Sequence, residues 1–444
     1  LRQTSFLNSK GKQKAYKAIK RFCAVIKTMS IVDIYFVATS AVRDAKNGNE
    51  FIESLEKKFN IKIHVISGKE EGLLAASGVL LGWPKATGIV CDIGGSSLEL
   101  AYLENGKIKT AQSFELGPLA LQDYHELGKS QLEVIKLKLS KINKSFPSKI
   151  NSLFLVGGCW RGLAKIHMNL TNYPLKVLQG YKVLVKNFDN TLKFISNTKN
   201  SELLQITSSS EERVKLLPDA CKVLKVIYEK FCPIELFFSG YGIREGIIFC
   251  QFNNEIKKLD PLLQACLYLE KNRSRYPGFG KILFEWLLPI FPKIDNKQKK
   301  IFLAACYLHD TIWQAHPDYR SEVCFETVTG ANLGGIDHSG RVFLALSLMS
   351  RYKKTDLNKI DKKYLLLLNK KKIKQAIILG ACMRLGAMLS VNIYENLSKT
   401  KIYTKEKILY LKIMEKDNLL GDSVEKRFNH LGNLMNFESR IILE

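Results

Sequence analysis

Apolar positions along the chain follow two regimes. Up to about residue 250, short β-branched runs alternate with longer stretches of helical period; from about Asn254 the helical period dominates. The first regime predicts an amphipathic helix over Lys10–Met29, a strand Asp33–Ala38, a helix Glu50–Phe59 and a strand Ile61–Ile66. Ser67 is a helix N-cap with Glu70 three residues on, a capping box opening an apolar helix that ends near Trp83-Pro84. Ile89–Ile93 is short, apolar and β-branched, as suits a strand covered on both faces. It turns at Gly94-Gly95-Ser96-Ser97 into a second strand, and Lys107–Phe114 supplies a third. A helix over about Ser130–Ser145 and a strand Ser152–Val156 lead to Gly157-Gly158 and another helix. A helix Glu211–Phe231 then precedes a strand Leu236–Ser239 that ends in Gly240-Tyr241-Gly242. A meander followed by helix–strand–helix–strand is a mixed sheet with helices on its faces, and such α/β sheets bind ligands at loops beyond strand ends. The first two strands and their helices cannot close a core alone. Neighbouring strands are therefore expected from a segment upstream of Leu1.

The second regime, Asp260–Glu444, reads as mostly helical, with cores such as Ile301–Leu308 and Val342–Met349. A small strand over Ile408–Ile413 and a final helix capped by Asp422-Ser423 complete it. Expected domains are 1–74, 75–253 and 254–444. The longest apolar run, Ala376–Val391, is short and carries Arg384, which argues against a membrane span.

Composition adds charge. The 444 residues include 68 Lys+Arg against 42 Asp+Glu, a net charge of +26. That surplus suits a polyanionic partner. It equally suits lysines spread over every solvated face, and the sequence leaves both open. Ten cysteines, scattered singly with no Cys-x-x-Cys pair, indicate a reducing, cytoplasmic location and neither disulfides nor zinc.

Candidate chemistry gathers at the central turn. Gly94 and Gly95 bare their backbone N–H groups to an anion, and Ser96 and Ser97 add hydroxyls. Asp92 and Glu99 flank the turn; two carboxylates beside a phosphate imply Mg²⁺ between them. The plain alternative is a hairpin whose acids are solvated. Glu70 belongs to the capping box, so Glu71 is the freer carboxylate of its pair. The doublet His309-Asp310 suggests a metal site, but no spacing rule places further ligands, and helix packing or hydrogen bonding is the preferred reading.

Taken together, several motifs resemble the exopolyphosphatase/guanosine pentaphosphate phosphohydrolase family. They are the stretch Ala38–Asn47, Ile66-Ser67-Gly68-Lys69-Glu70-Glu71, the stretch Asp92–Glu99, Val156-Gly157-Gly158 and the stretch Ser239–Gly246, in order from about Lys10 to Ile248. The resemblance implies an actin-like ATPase (RNase H-like) α/β core with its first domain N-terminally short, followed by a mainly helical C-terminal domain. It implies release of terminal phosphate from inorganic polyphosphate or from guanosine pentaphosphate, with Mg²⁺ as cofactor. Glu71 matches the family's catalytic glutamate and Arg43 a phosphate-contacting arginine. Asp92, Gly94, Gly95, Ser97 and Glu99 match its phosphate-loop positions. With the reading of the turn, the candidate site is Thr39, Arg43, Gly94, Gly95, Ser96 and Ser97 for phosphate, Asp92 and Glu99 for the metal, and Gly157 and Gly158 for a nucleotide or polyphosphate contact. Ser96 stands where the family has glycine and is expected to crowd the loop. Leu98 stands for a threonine and is expected to face the core. A homodimer is implied; a membrane or nucleic-acid partner is not.

Two rivals remain at this point. A kinase or ATP-driven chaperone could use the same scaffold, with Gly157-Gly158 serving an adenosine. A non-catalytic polyanion binder would need only the charge, which is expected to form a basic track between the α/β and helical parts.

Overall fold

A computed structural model describes residues 6–444 apart from 208, 355, 392 and 415–418. The chain divides into two compact units, residues 1–171 with 182–257, and residues 172–181 with 258–444. The expected segments 1–74 and 75–253 lie together in the first unit, and a short excursion at 172–181 belongs to the second.

The first unit begins with a helix Ser9–Thr28 and a two-stranded parallel sheet, β1 (Phe36–Ala38) beside β2 (Ile63–Val65). Both strands are half the expected length. The stretch before Phe36 is exposed although largely apolar, and its residues pair with no strand among the described residues; His64 and Val65 are exposed as well. Between them lie one helical turn, Ser40–Arg43, and a helix Gly48–Phe59.

The main sheet has six strands in the order β5-β4-β3-β6-β8-β7. Its members are β3 (Gly88–Ile93), β4 (Leu98–Glu104), β5 (Lys107–Phe114), β6 (Ser152–Val156), β7 (Tyr181–Leu184) and β8 (Glu235–Phe238). β3, β4 and β5 form the antiparallel meander, and β3, β6 and β8 run parallel. All six residues of β3 are buried, as its unbroken apolar run requires of a strand with helices on both faces. On one face Val90 packs with Ala75, Ala76 and Val79 of the helix Gly68–Gly82. Next to β3, Trp160 of the helix Gly158–Leu170 is fully buried and donates its indole N–H to the Cys91 carbonyl at 3.1 Å.

Local chemistry corrects several expected boundaries. The helix expected over 211–231 is two, Glu211–Val214 and Leu217–Phe231. Pro218 cannot donate an interior hydrogen bond and instead starts the second. The helix expected over 130–145 ends at Ser140. The last helix, Asp422–Met435, is capped by Gly421, which leaves Asp422 in its first turn, where a negative charge suits the helix dipole.

The second unit is a helical core closed by a small sheet. Its sheet order is β11-β10-β9, from β9 (Thr400–Lys405), β10 (Ile408–Ile413) and β11 (Glu438–Leu443). β9 and β10 form a hairpin, and β10 and β11 run parallel with the helix Asp422–Met435 crossing between them. The helix Lys370–Ser390 has 21 residues and is long and apolar enough to cross a membrane, so length does not exclude it. Its burial identifies it as a core helix: Leu379, Cys382, Met383, Leu385 and Leu389 are fully covered within this unit. In the same core Arg341, also fully buried, donates to the carbonyls of Val328, Ala331 and Leu333, which lie at and beyond the end of the helix Arg320–Gly330.

Candidate active site

The helix Gly68–Gly82 positions the first carboxylate. Ser67 accepts from the Glu70 backbone N–H at 3.2 Å and Glu70 accepts from the Ser67 N–H at 2.7 Å, so the capping box forms and fixes the helix entrance. Glu70 stays exposed while Glu71, one residue on, is only 6% exposed. Arg43 reaches it from the Ser40–Arg43 turn, donating to Glu71 Oε2 at 3.2 Å and to the Ile66 carbonyl at 2.9 Å. Burial raises the Glu71 carboxyl above its ordinary value, against the opposing pull of Arg43.

The hairpin supplies two more carboxylates. Asp92 and Glu99 are directly opposed in the β3–β4 register and both are buried. Burial, then Glu99 and Glu71, push Asp92 well up, with Arg161 opposing. Burial and Glu71 push Glu99 up to about 7. Ser113 on β5 donates its hydroxyl to Glu99 Oε1 at 2.8 Å. Glu99 Oε2 and Ser97 Oγ are buried without a hydrogen bond of normal geometry, although Ser97 lies near enough to lower the Glu99 carboxyl. Gly68 lets the helix come this close: a Cβ there would lie 2.4 Å from Ser113 Oγ.

When ionised, the three carboxylates, with Arg43 in contact and Arg161 acting on Asp92, are left with mutual repulsion. A divalent cation between Asp92 and Glu99 would relieve it, and the orphaned Glu99 oxygen gives it a ligand. The opposed pair and the orphaned oxygen have the donor chemistry of a Mg²⁺ site, although among the described residues no three such side chains are grouped to hold a metal as they stand.

The glycine turn is partly used by the fold. The Gly94 N–H donates to the Ser97 carbonyl at 2.9 Å, which leaves Gly95 and Ser96 as its anion-facing donors. Ser96 does not crowd the loop. It is half-exposed, and the tight approach falls on Gly117, whose N–H donates to the Ser96 carbonyl and whose Cβ would lie 2.3 Å from the Gly95 carbonyl oxygen. Leu98 is fully buried, facing the core.

Thr39, Asp92 and Gly157 line a cavity of about 720 Å³, together with Arg161, Tyr241 and Arg244. Glu71, Arg43 and the Gly94–Ser97 turn are not among its lining residues. Asp92 joins the two places. Gly157 has φ +115°, and a Cβ there would meet Asp92 Oδ1 at 3.0 Å, so only glycine lets β6 end beneath that carboxylate. Gly158 lies under Arg213, with a Cβ position 3.1 Å from its Nε. Arg161, Tyr241, Arg213 and Ser113 extend the set read from sequence. Arg161 had a signal, one helical turn past Gly157, and Tyr241 stood in the quoted glycine motif. Ser113 and Arg213 had none, because strand pairing and folding bring them in from a distance.

Comparison with known proteins bears on the family of the chain. Residues 1–255 match the Ppx/GppA phosphatase family, and residues 262–442 match the exopolyphosphatase C-terminal family. The chain is 24% identical over 318 residues to a guanosine-5'-triphosphate,3'-diphosphate pyrophosphatase of Aeromonas salmonicida, covering 68% of this chain and 63% of that protein. It is 21% identical over 377 residues to Retrograde regulation protein 2 of Saccharomyces cerevisiae, covering 75% of this chain and 63% of that protein. It thus spans less than two thirds of the length of these curated relatives. Among solved structures, the Aquifex aeolicus PPX-GPPA enzyme aligns at TM-score 0.47 and 22% identity, covering 55% of this chain and 84% of that one. An exopolyphosphatase from Cytophaga hutchinsonii aligns at TM-score 0.48 and 21% identity, covering 55% and 83%. With more than half of its residues matched as one continuous stretch, the chain belongs to the Ppx/GppA phosphatase family.

Proposed function

We propose that this chain carries a phosphoanhydride hydrolase site that releases terminal phosphate from inorganic polyphosphate. The observation that supports it most is the buried Glu71 carboxylate, held by Arg43 through one oxygen beside the opposed pair Asp92 and Glu99. Arg43 occupies Oε2 and leaves Oε1 for a water molecule. A carboxylate raised above its ordinary value by burial is the better base for that water's proton. The N–H groups of Gly95 and Ser96 and the Ser97 hydroxyl orient the terminal phosphoryl oxygens. Asp92 and Glu99 would hold Mg²⁺, which when bound offsets negative charge on the transferring group. No residue is asked to form a covalent bond to phosphorus.

Guanosine pentaphosphate is the second reading. The cavity of about 720 Å³ beside Asp92 has room for a nucleoside, and the Aeromonas relative carries a guanosine-phosphate name. The test is phosphate release from both substrates, with and without Mg²⁺, by the unmodified chain and by Glu71→Gln. The proposal expects Mg²⁺-dependent release that Glu71→Gln lowers about a hundredfold or more; the ratio of the two substrates decides between the readings. Near-normal release in Glu71→Gln or after the removal of Mg²⁺ would sink it.

A further inference from the structure

The doublet His309-Asp310 follows the helix Asn296–Leu308 and lines a cavity of about 50 Å³ in the second unit. Its surroundings do not suit a cation. Arg275 takes both carboxylate oxygens of Asp310: its Nε and backbone N–H donate to Oδ2 at 2.9 and 3.2 Å, and its Nη2 donates to Oδ1. His309 turns Nδ1 to the Cys306 carbonyl at 2.8 Å. No cluster of three or more His, Cys, Asp or Glu is arranged to hold a metal among the described residues.

What the cavity holds in excess is positive charge. Arg351, from the helix His338–Tyr352, lines it with a buried Nε that has no hydrogen-bond partner. Asp310 is the carboxylate in the lining, and Arg275 already engages it. Behind stand Arg384 and Arg427. Burial and these like charges act together: Arg384 is drawn down to about 10 by burial, Arg427 and Arg351. Arg427 donates its Nε–H to the Met388 sulfur at 3.2 Å, a weak acceptor that carries no charge. Burial, with Arg351 next, holds His309 at about 4, so its ring is neutral at pH 7. Arg275 and Arg351 thus face one committed carboxylate in the lining, and the charges of Arg384 and Arg427 bear on Arg351.

A buried guanidinium N–H without an acceptor is unfavourable, and an anion beside Arg351 Nε removes that penalty. Guanidinium forks match tetrahedral oxyanions; Ser390 and Tyr394 also line the cavity, but their hydroxyls already donate to the Ala387 and Pro277 carbonyls, which leaves the arginines as the anion's donors. Its volume admits one small anion and no nucleoside. We propose that this cavity binds a single phosphate-type oxyanion, either free orthophosphate or the terminal phosphoryl group of a phosphate chain. The site is separate from Glu71, Asp92 and Glu99 and does not depend on their chemistry.

Trp313 gives a local readout, since the Arg275 guanidinium lies 5.5 Å from its ring centroid. Sodium phosphate titrated into the full chain at constant ionic strength should change Trp313 emission saturably, and sodium chloride should not. Trp313→Phe should remove the response. Arg351→Met should raise the midpoint roughly tenfold or more, the loss of one charge-assisted contact. Sodium tripolyphosphate in place of orthophosphate separates the sources: markedly tighter binding identifies a chain end, equal or weaker binding free phosphate. If Arg351→Met does not fold, Arg384→Gln replaces it, with a several-fold weaker midpoint expected. No saturable response in the unmodified chain, or an unchanged midpoint in the folded variant, overturns the site.

Discussion

The two units hold pockets of opposite electrostatic sense. In the first, Glu71, Asp92 and Glu99 are offset by Arg43 at Glu71 and by Arg161 acting on Asp92. In the second, Arg275 and Arg351 face one engaged carboxylate, Asp310, with Arg384 and Arg427 acting on Arg351. Burial acts alike on both, pushing carboxylates up and arginines and His309 down, each toward its neutral form. Under the two proposals they take opposite counter-ions, a cation in one and an anion in the other. Net charge could not reveal this, because both pockets lie inside the same +26.

The comparison breaks most completely at Glu71. Glu71→Gln keeps size and hydrogen bonding but removes the base, and turnover should fall about a hundredfold to ten-thousandfold with folding intact. Steady-state phosphate release alongside circular dichroism checks this.

The second unit should respond to acid through its buried histidines. His309 and His338 are both held at about 4, by burial first and then by arginine. A folded-state value below the unfolded one contributes stability above the unfolded value of about 6.5 that is lost as pH falls toward 4. Urea unfolding in chloride buffers should lose on the order of 2 kcal/mol per histidine between pH 7 and 4.5. His338→Gln should flatten the slope; an equal slope in that variant would remove the assignment.

Arg43→Gln sharpens the contrast from the other side. It takes the cation from the acidic pocket and leaves a neutral donor. A charged hydrogen bond contributes about 1.5–3 kcal/mol, so turnover should fall roughly tenfold to a hundredfold. The smallest effect belongs to Glu70→Gln, which touches only the cap: about 1 kcal/mol or less of stability, read by thermal melting, with turnover near normal. If Glu70→Gln proves the more damaging of the adjacent pair, the roles given to Glu70 and Glu71 are reversed.

The acidic pocket was legible in the sequence because its parts are local. Asp92 and Glu99 flank a four-residue turn, so antiparallel pairing opposes them, and capping-box spacing separates Glu70 from Glu71. Ser113 was not legible, since nothing in β5 marks which hydroxyl will meet Glu99. The basic pocket was barely visible. Arginines at 275, 351, 384 and 427 are far apart in sequence and read singly as solvated residues; only helix packing collects them. Arg341, fully buried against three carbonyls, carries the same lesson. β9 and β11 were missed because Thr400, Thr404 and Ser439 stand on their more covered faces, where β10 has Leu409, Leu411 and Ile413.

The helix Lys370–Ser390 has a consequence for the order of synthesis. It packs against the earlier helix His338–Tyr352 and the later helix Asp422–Met435. When it leaves the ribosome, its first partner already exists and its second does not. Until roughly fifty further residues are made, one face of a 21-residue apolar helix waits in water, resembling a membrane segment to any machinery that reads hydrophobicity. Arg384 in its middle, awkward for the finished core, marks the nascent segment as a poor membrane insert during that interval.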